Sequence, residues 1–116
     1  MKVIIAGTRN LKISKQQILI SLDNFILNPT EIVSGNSGNV DIAGEIFALE
    51  LGLKVTRFKA NWELGKKAGP IRNKEMALYA DVLLLIWDGK SKGSANMKKE
   101  MLSLNKPVYE VVLLSS

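Results

Sequence analysis

Short apolar runs alternate with amphipathic segments along the whole chain. Residues 3–6 (Val-Ile-Ile-Ala) form a compact apolar run closed by Gly7, the length and character of a buried strand. Ser14 is a good helix N-cap, and the helix predicted from it runs to about Leu27, with Ile18, Leu19, Leu22, Phe25 and Ile26 on one stripe. Asn28-Pro29 ends it. A second strand over 31–34 closes at Gly35. Asp41 is a candidate cap for a second helix that turns Ile42, Ile46 and Leu49 inward and stops at Gly52 with Leu53 beyond it. A third strand covers 53–58. After a loop over 59–69, Pro70 suits the first helical position of a third helix, which runs to about Tyr79. Residues 81–87 (Asp-Val-Leu-Leu-Leu-Ile-Trp) are the most hydrophobic run and predict a central strand buried on both faces. A polar loop over 88–93, a helix over about 94–104 and, after Pro107, a strand over 108–113 complete the pattern.

Strands and helices therefore alternate strictly. That order predicts a single α/β domain of Rossmann-like type, with five parallel strands, right-handed crossovers and helices on both faces. The doubly wound solution has strand order 3-2-1-4-5, and ligands of such sheets bind beyond the carboxyl ends of the strands, near the switch in order. That rim gathers the loops after strands one, two and four.

Composition narrows the chemistry. The chain has 116 residues, enough for one domain that needs no covalent staples. It contains neither cysteine nor histidine. Thiol chemistry is excluded, and the usual near-neutral acid–base group and commonest metal ligand are missing, so no metal and no cofactor is expected. Any catalysis falls to carboxylates, lysine, arginine, tyrosine, serine or backbone groups. No apolar run approaches the roughly 18 residues of a membrane span. Residues 1–7 read as a first strand rather than a signal peptide, which predicts a cytoplasmic protein with no membrane partner. The net charge of +5 is uneven: residues 54–106 hold twelve Lys/Arg against five Asp/Glu, while residues 1–53 hold four against five. A basic half points to an anionic partner, although a solvated lysine-rich surface explains the same bias.

Four loops carry candidate chemistry. Gly7-Thr8-Arg9 follows the first strand; glycine permits close approach, threonine offers a hydroxyl and arginine can clamp a phosphate, unless this is an ordinary turn. Ser34-Gly35-Asn36-Ser37-Gly38-Asn39-Val40-Asp41 opens the second helix and can turn several N–H groups towards a phosphate, with Asp41 either capping the helix or holding a ribose hydroxyl. It is neither GxGxxG nor a Walker A loop, and a simply capped loop accounts for it equally. Gly65-Lys66-Lys67-Ala68-Gly69-Pro70-Ile71-Arg72-Asn73 sets two lysines and an arginine at a helix start, where the helix dipole favours anions. Trp62 upstream either stacks on a base or packs in the core. Asp88-Gly89-Lys90-Ser91-Lys92-Gly93-Ser94 is a second small-residue loop entering a helix.

The succession GTR at 7–9, SGxxGxVDxxGE at 34–45, WxxGKxAGPxRN at 62–73, Ala80-Asp81 and a glycine-containing loop resembles the YspA-like (cpYpsA-related) branch of the SLOG superfamily. That superfamily groups relatives of the DNA-processing protein DprA and of the LOG phosphoribohydrolases that activate cytokinins. The resemblance covers nearly the whole chain and implies a compact Rossmann-like fold with a nucleotide-related ligand. Two departures stand out. Asn36-Ser37-Gly38-Asn39 replaces the arginine-bearing GGARGAD loop of the family. Gly93-Ser94 matches the Gly-Thr of the LOG motif PGGxGTxxE, but Met97 occupies its glutamate position, while Arg72 matches the arginine that the family keeps.

Three readings stay open on the sequence. The first is a binder of a nucleotide or of an NAD- or ADP-ribose-derived ligand, acting as sensor or sequestering protein. The second is a nucleotide N-glycosidase whose carboxylate comes from Asp41, Glu45 or Asp88. The third, favoured least, is a module for single-stranded nucleic acid. Apolar helix faces also permit a homo-oligomer.

Overall fold

The computed structural model describes residues 1–113. Its five strands, β1 (Lys2–Gly7), β2 (Glu31–Ser34), β3 (Lys54–Arg57), β4 (Val82–Trp87) and β5 (Val108–Val112), form one parallel sheet in the order β3-β2-β1-β4-β5. Four helices connect them: α1 (Lys15–Asn24), α2 (Asn39–Glu50), α3 (Ala68–Tyr79) and α4 (Lys92–Ser103). The Rossmann-like α/β architecture and strand order expected from the apolar pattern are those of the molecule.

The two faces of the sheet build two cores. Val3, Ile5, Ile32, Val82, Leu84 and Ile86 meet α1 and α2 on one face. Ile4, Ala6, Val33, Leu83, Leu85 and Trp87 meet α3 and α4 on the other. Every residue of β4 is buried, because a strand covered on both faces has no solvent side to which a polar residue can point.

Several element boundaries and faces differ from the sequence expectation. Helix α1 ends at Asn24 rather than Leu27, in a Schellman motif: Ile26 N–H donates to the Asp23 carbonyl and Leu27 N–H to the Leu22 carbonyl. Ile18 and Leu22 are buried as expected, but Leu19 and Ile26 are exposed. Helix α2 starts at Asn39 with Gly38 as N-cap, so Asp41 does not cap it; the residue sits in the first turn, three positions after the cap. The same helix is turned from its expected orientation. Val40, Gly44, Phe47 and Ala48 face the sheet, while Ile42, Ile46 and Leu49 are exposed. Gly44 causes this, since its Cα packs against Ile5 so closely that an added Cβ would lie 3.0 Å from the Ile5 Cβ. Strand β3 is shorter at both ends than the expected 53–58, with Leu53 packed against the core beyond the strand. Within the expected loop over 59–69, Trp62–Lys67 forms a 3₁₀ turn broken at Gly65, whose φ is +70°. Helix α3 runs on from it at Ala68, so Pro70 is its third residue, where a missing N–H still costs nothing. Helix α4 begins two residues before the expected 94, at Lys92. No helix among the described residues is long and apolar enough to cross a membrane.

Candidate functional site

The carboxyl ends of β1, β2 and β4 open onto a cleft of about 490 Å³. The end of β1 and the loop after it contribute Gly7 and Arg9, the loop after β2 contributes Gly35 and Ser37, and the first turn of α2 contributes Asp41. Trp62, Lys66, Gly69, Arg72 and Asn73 enter from the 3₁₀ turn and α3, and Gly93 and Ser94 from the start of α4. A second hollow, also about 490 Å³, adjoins it. Arg9, Gly35, Ser37, Trp62 and Arg72 border both, and Asn36, Lys59 and Ala60 complete the second.

Six of the sequence candidates lie outside both hollows: Thr8, Ser34, Gly38, Glu45, Asp88 and Gly89. Each has structural work. Thr8 Oγ1 accepts a hydrogen bond from the Asp88 N–H at 2.9 Å and lies 3.3 Å from Ser91 Oγ, tying the β1 loop to the β4 loop. Asp88 Oδ1 in turn accepts from the N–H groups of Lys90 and Ser91, which hold its carboxyl below the usual aspartate range. Gly89 makes the turn between them at φ +81°. Gly38 lies against Arg9, since a Cβ there would come within 2.7 Å of the Arg9 Cα. Ser34 donates to Glu45 at 2.7 Å, and Arg57 donates to the other oxygen of that carboxylate at 2.6 Å. Glu45 is therefore buried and fully engaged, away from the cleft.

Arg72 is held from two sides. Its Nε donates to Asn73 Oδ1 at 2.9 Å and its Nη1 to the Gly35 carbonyl at 2.7 Å. Asn73 uses its amide to reach across to α4, donating to Asn96 Oδ1 at 2.9 Å and to the Gly93 carbonyl at 3.3 Å. The Arg-Asn pair of the sequence motif thus fixes a guanidinium at the junction of the two hollows and ties α3 to α4. Burial lowers the Arg72 pKa, the Asp41 charge opposes that shift and the Arg9 charge adds to it. Trp62 is 58% exposed at the rim, so the core-packing alternative does not hold; its ring edge lies over Gly69, where an added Cβ would be 3.9 Å away.

Of the three candidate acids only Asp41 lines the cleft. Its Oδ2 accepts from Ser37 N–H and Ser37 Oγ, both at 3.0 Å. Burial pushes this carboxyl above the ordinary aspartate value of 3.8, against the Ser37 hydrogen bonds and the Arg72 charge, and the neighbouring Glu45 adds to the rise.

The cleft also holds residues that the sequence reading did not single out as ligand contacts. Ser91 comes from the N-cap position of α4 and Lys92 and Asn96 from its first turns, and Ala6, Pro70, Met76 and Met97 supply an apolar floor. Lys92 was legible in principle, as the cation beside Gly93. Met97 was signalled only by its place at the LOG glutamate position, and Met76 not at all, because buried methionines on helix faces look the same whether they line a cleft or fill a core.

Among the described residues, four cations stand around the main cleft, Arg9, Lys66, Arg72 and Lys92, with Lys59 in the second hollow and Asp41 as the one acid. Helices α2 and α4 aim N-termini at this rim, and neither has a side-chain cap. Fold and site together define a doubly wound α/β domain with a cationic cleft at the topological switch point. Compared with models of known protein families and with curated proteins, the chain matches none.

Proposed function

We propose that the chain binds a nucleotide or an NAD- or ADP-ribose-derived ligand through its phosphate, as a sensor or sequestering protein, in the manner of the YspA-like SLOG proteins whose motif order it resembles. The observation that carries this reading is the charge pattern of the cleft: four fixed or flexible cations around two uncapped helix N-termini, above an apolar floor. Phosphate oxygens suit the donors and the positive helix ends. A flat base suits Met76, Met97 and the exposed face of Trp62.

A titration of tryptophan emission, from Trp62 at the rim and the buried Trp87, with AMP and with ADP-ribose tests it. Binding should be saturable, and Arg72→Ala should weaken it by about 1.5–3 kcal/mol, the scale of hydrogen bonds to a charged group. Equal affinity in the variant would remove Arg72 from the site, and absence of any response would remove the nucleotide.

One observation favours a second reading. Asp41 is a buried acid with a raised pKa facing the cleft, which suits a general acid cleaving an N-glycosidic bond. Met97, at the position of the LOG glutamate, cannot transfer a proton. Repeated release of free base from AMP or a cytokinin riboside monophosphate, lost in Asp41→Asn, would favour the hydrolase.

A further inference from the structure

Asp41 is an unusual neighbour for a phosphate. It is 6% exposed, it is the one acid lining the main cleft among the described residues, and both of its hydrogen bonds converge on Oδ2. No donor among the described residues reaches Oδ1. That oxygen is not sealed inside the protein either, since no inaccessible side-chain oxygen or nitrogen lacks a partner. Oδ1 therefore keeps solvent access, on a side chain that lines the cleft. Arg72 flanks the same glycine, Gly35, but the two side chains do not approach to ion-pair distance; the salt bridges among the described residues join Lys15–Glu50, Lys54–Glu31, Arg57–Glu45 and Lys98–Glu110.

A carboxylate oxygen in this position is costly beside a bound anion unless the ligand brings it a donor. An ammonium group is a poor donor here, because Arg9, Lys66, Arg72 and Lys92 would repel it. A neutral hydroxyl meets no such repulsion. Resting on the phosphate-binding reading above, we infer that Asp41 is a specificity-determining residue that accepts a hydrogen bond from a ribose hydroxyl of the ligand. The cleft then selects phosphorylated ribosides over their deoxy counterparts: the cations read the phosphate, and the lone acceptor reads the sugar.

The test is the affinity of the full chain for AMP, for its two monodeoxyribose analogues and for IMP, followed by tryptophan emission. In the wild type, AMP should bind roughly 10- to 100-fold more tightly than one of the deoxy analogues, the worth of a hydrogen bond to a charged group. IMP should match AMP within about threefold, because the base amine is not the donor. Asp41→Asn keeps the shape and an acceptor for the Ser37 N–H. It should shrink the ribose preference to about threefold or less while binding inorganic sulfate more tightly than the wild type, since a like charge has gone. A purely structural Asp41 would weaken all of these ligands together. Equal binding of AMP and both deoxy analogues, with Arg72→Ala still harmful, overturns the inference and leaves the phosphate site standing. A preference that survives Asp41→Asn, or a loss with IMP alone, assigns recognition elsewhere and overturns it as well. If AMP does not bind at all, both readings fall. Should Asp41→Asn fail to fold, the wild-type comparison of AMP with its deoxy analogues still decides.

Discussion

Ile26 adopts the left-handed conformation, φ +56°, at the end of α1, with its side chain 82% exposed. Gly52 and Asn105 hold the equivalent position at the ends of α2 and α4, where the same pair of hydrogen bonds closes the helix. A β-branched residue is the worst choice there, as its Cβ crowds the backbone at positive φ at a cost of about 1–2 kcal/mol. Ile26→Gly should therefore stabilise the protein by about 1 kcal/mol, after the flexibility that glycine adds to the unfolded chain is offset. Urea denaturation checks this, and an unchanged or lower midpoint contradicts it. Glu31, buried at the start of β2, gives a second prediction. Burial raises its pKa, but hydrogen bonds from Thr56 and Tyr79 and the charges of Lys54 and Lys2 outweigh burial and hold it below the ordinary 4.5. A carboxyl depressed in the folded state contributes stability above its unfolded pKa and loses it as pH falls through the folded one. Thermal stability should drop as pH falls below 4.5, and Glu31→Gln should flatten that part of the profile. An identical slope in the variant would assign the acid sensitivity to other groups.

At the scale of elements, the far end of α3 is closed by a residue distant in sequence. The Lys106 ammonium, from the turn before β5, donates to the carbonyls of Ala77, Ala80 and Leu78 at 2.7, 2.7 and 3.2 Å. Three carbonyls that would otherwise face water at the negative end of the helix dipole are thus satisfied by one cation. Lys106→Met keeps most of the aliphatic stem and should cost about 1–2 kcal/mol in chemical denaturation. A cost near zero would show that water serves these carbonyls equally well. The elements were legible in the sequence wherever local chemistry decides. Ser14 caps α1, its hydroxyl accepting from Gln17 N–H while the Gln17 side chain accepts from Ser14 N–H, and Gly52 ends α2. The orientation of α2 was not legible, because its inward face carries Asp41, Gly44 and Glu45, which hydropathy assigns to solvent. Those acids are buried only because Ser37, Ser34 and Arg57 come from other segments to meet them. The candidate site followed the same division. Loops flanked by strand ends pointed to Gly35 and Gly93, and the basic block at a helix start to Arg72, but which small residues face the cleft and which brace it depends on packing between loops, as Thr8 and Asp88 show.

For the whole molecule, the sheet order carries the account: it brings the loops after β1, β2 and β4 to one rim, and the glycines there have opposite duties. A Cβ on Gly7 would lie 1.7 Å from the Ile86 carbonyl oxygen, so Gly7 serves the contact of β1 with β4. A Cβ on Gly93 would meet no protein atom within 4 Å, although the residue lines the cleft. Substitution at Gly93 therefore separates folding from occupancy: a valine side chain there fills space that only a ligand would claim, at a helix-propensity cost close to neutral relative to glycine. The most direct measurement is native mass spectrometry of wild-type protein and Gly93→Val, each incubated with AMP and ADP-ribose, with circular dichroism confirming that both are folded. The account predicts one retained nucleotide per wild-type chain and none on Gly93→Val. Equal occupancy of the two proteins, or none on the wild type, would contradict it.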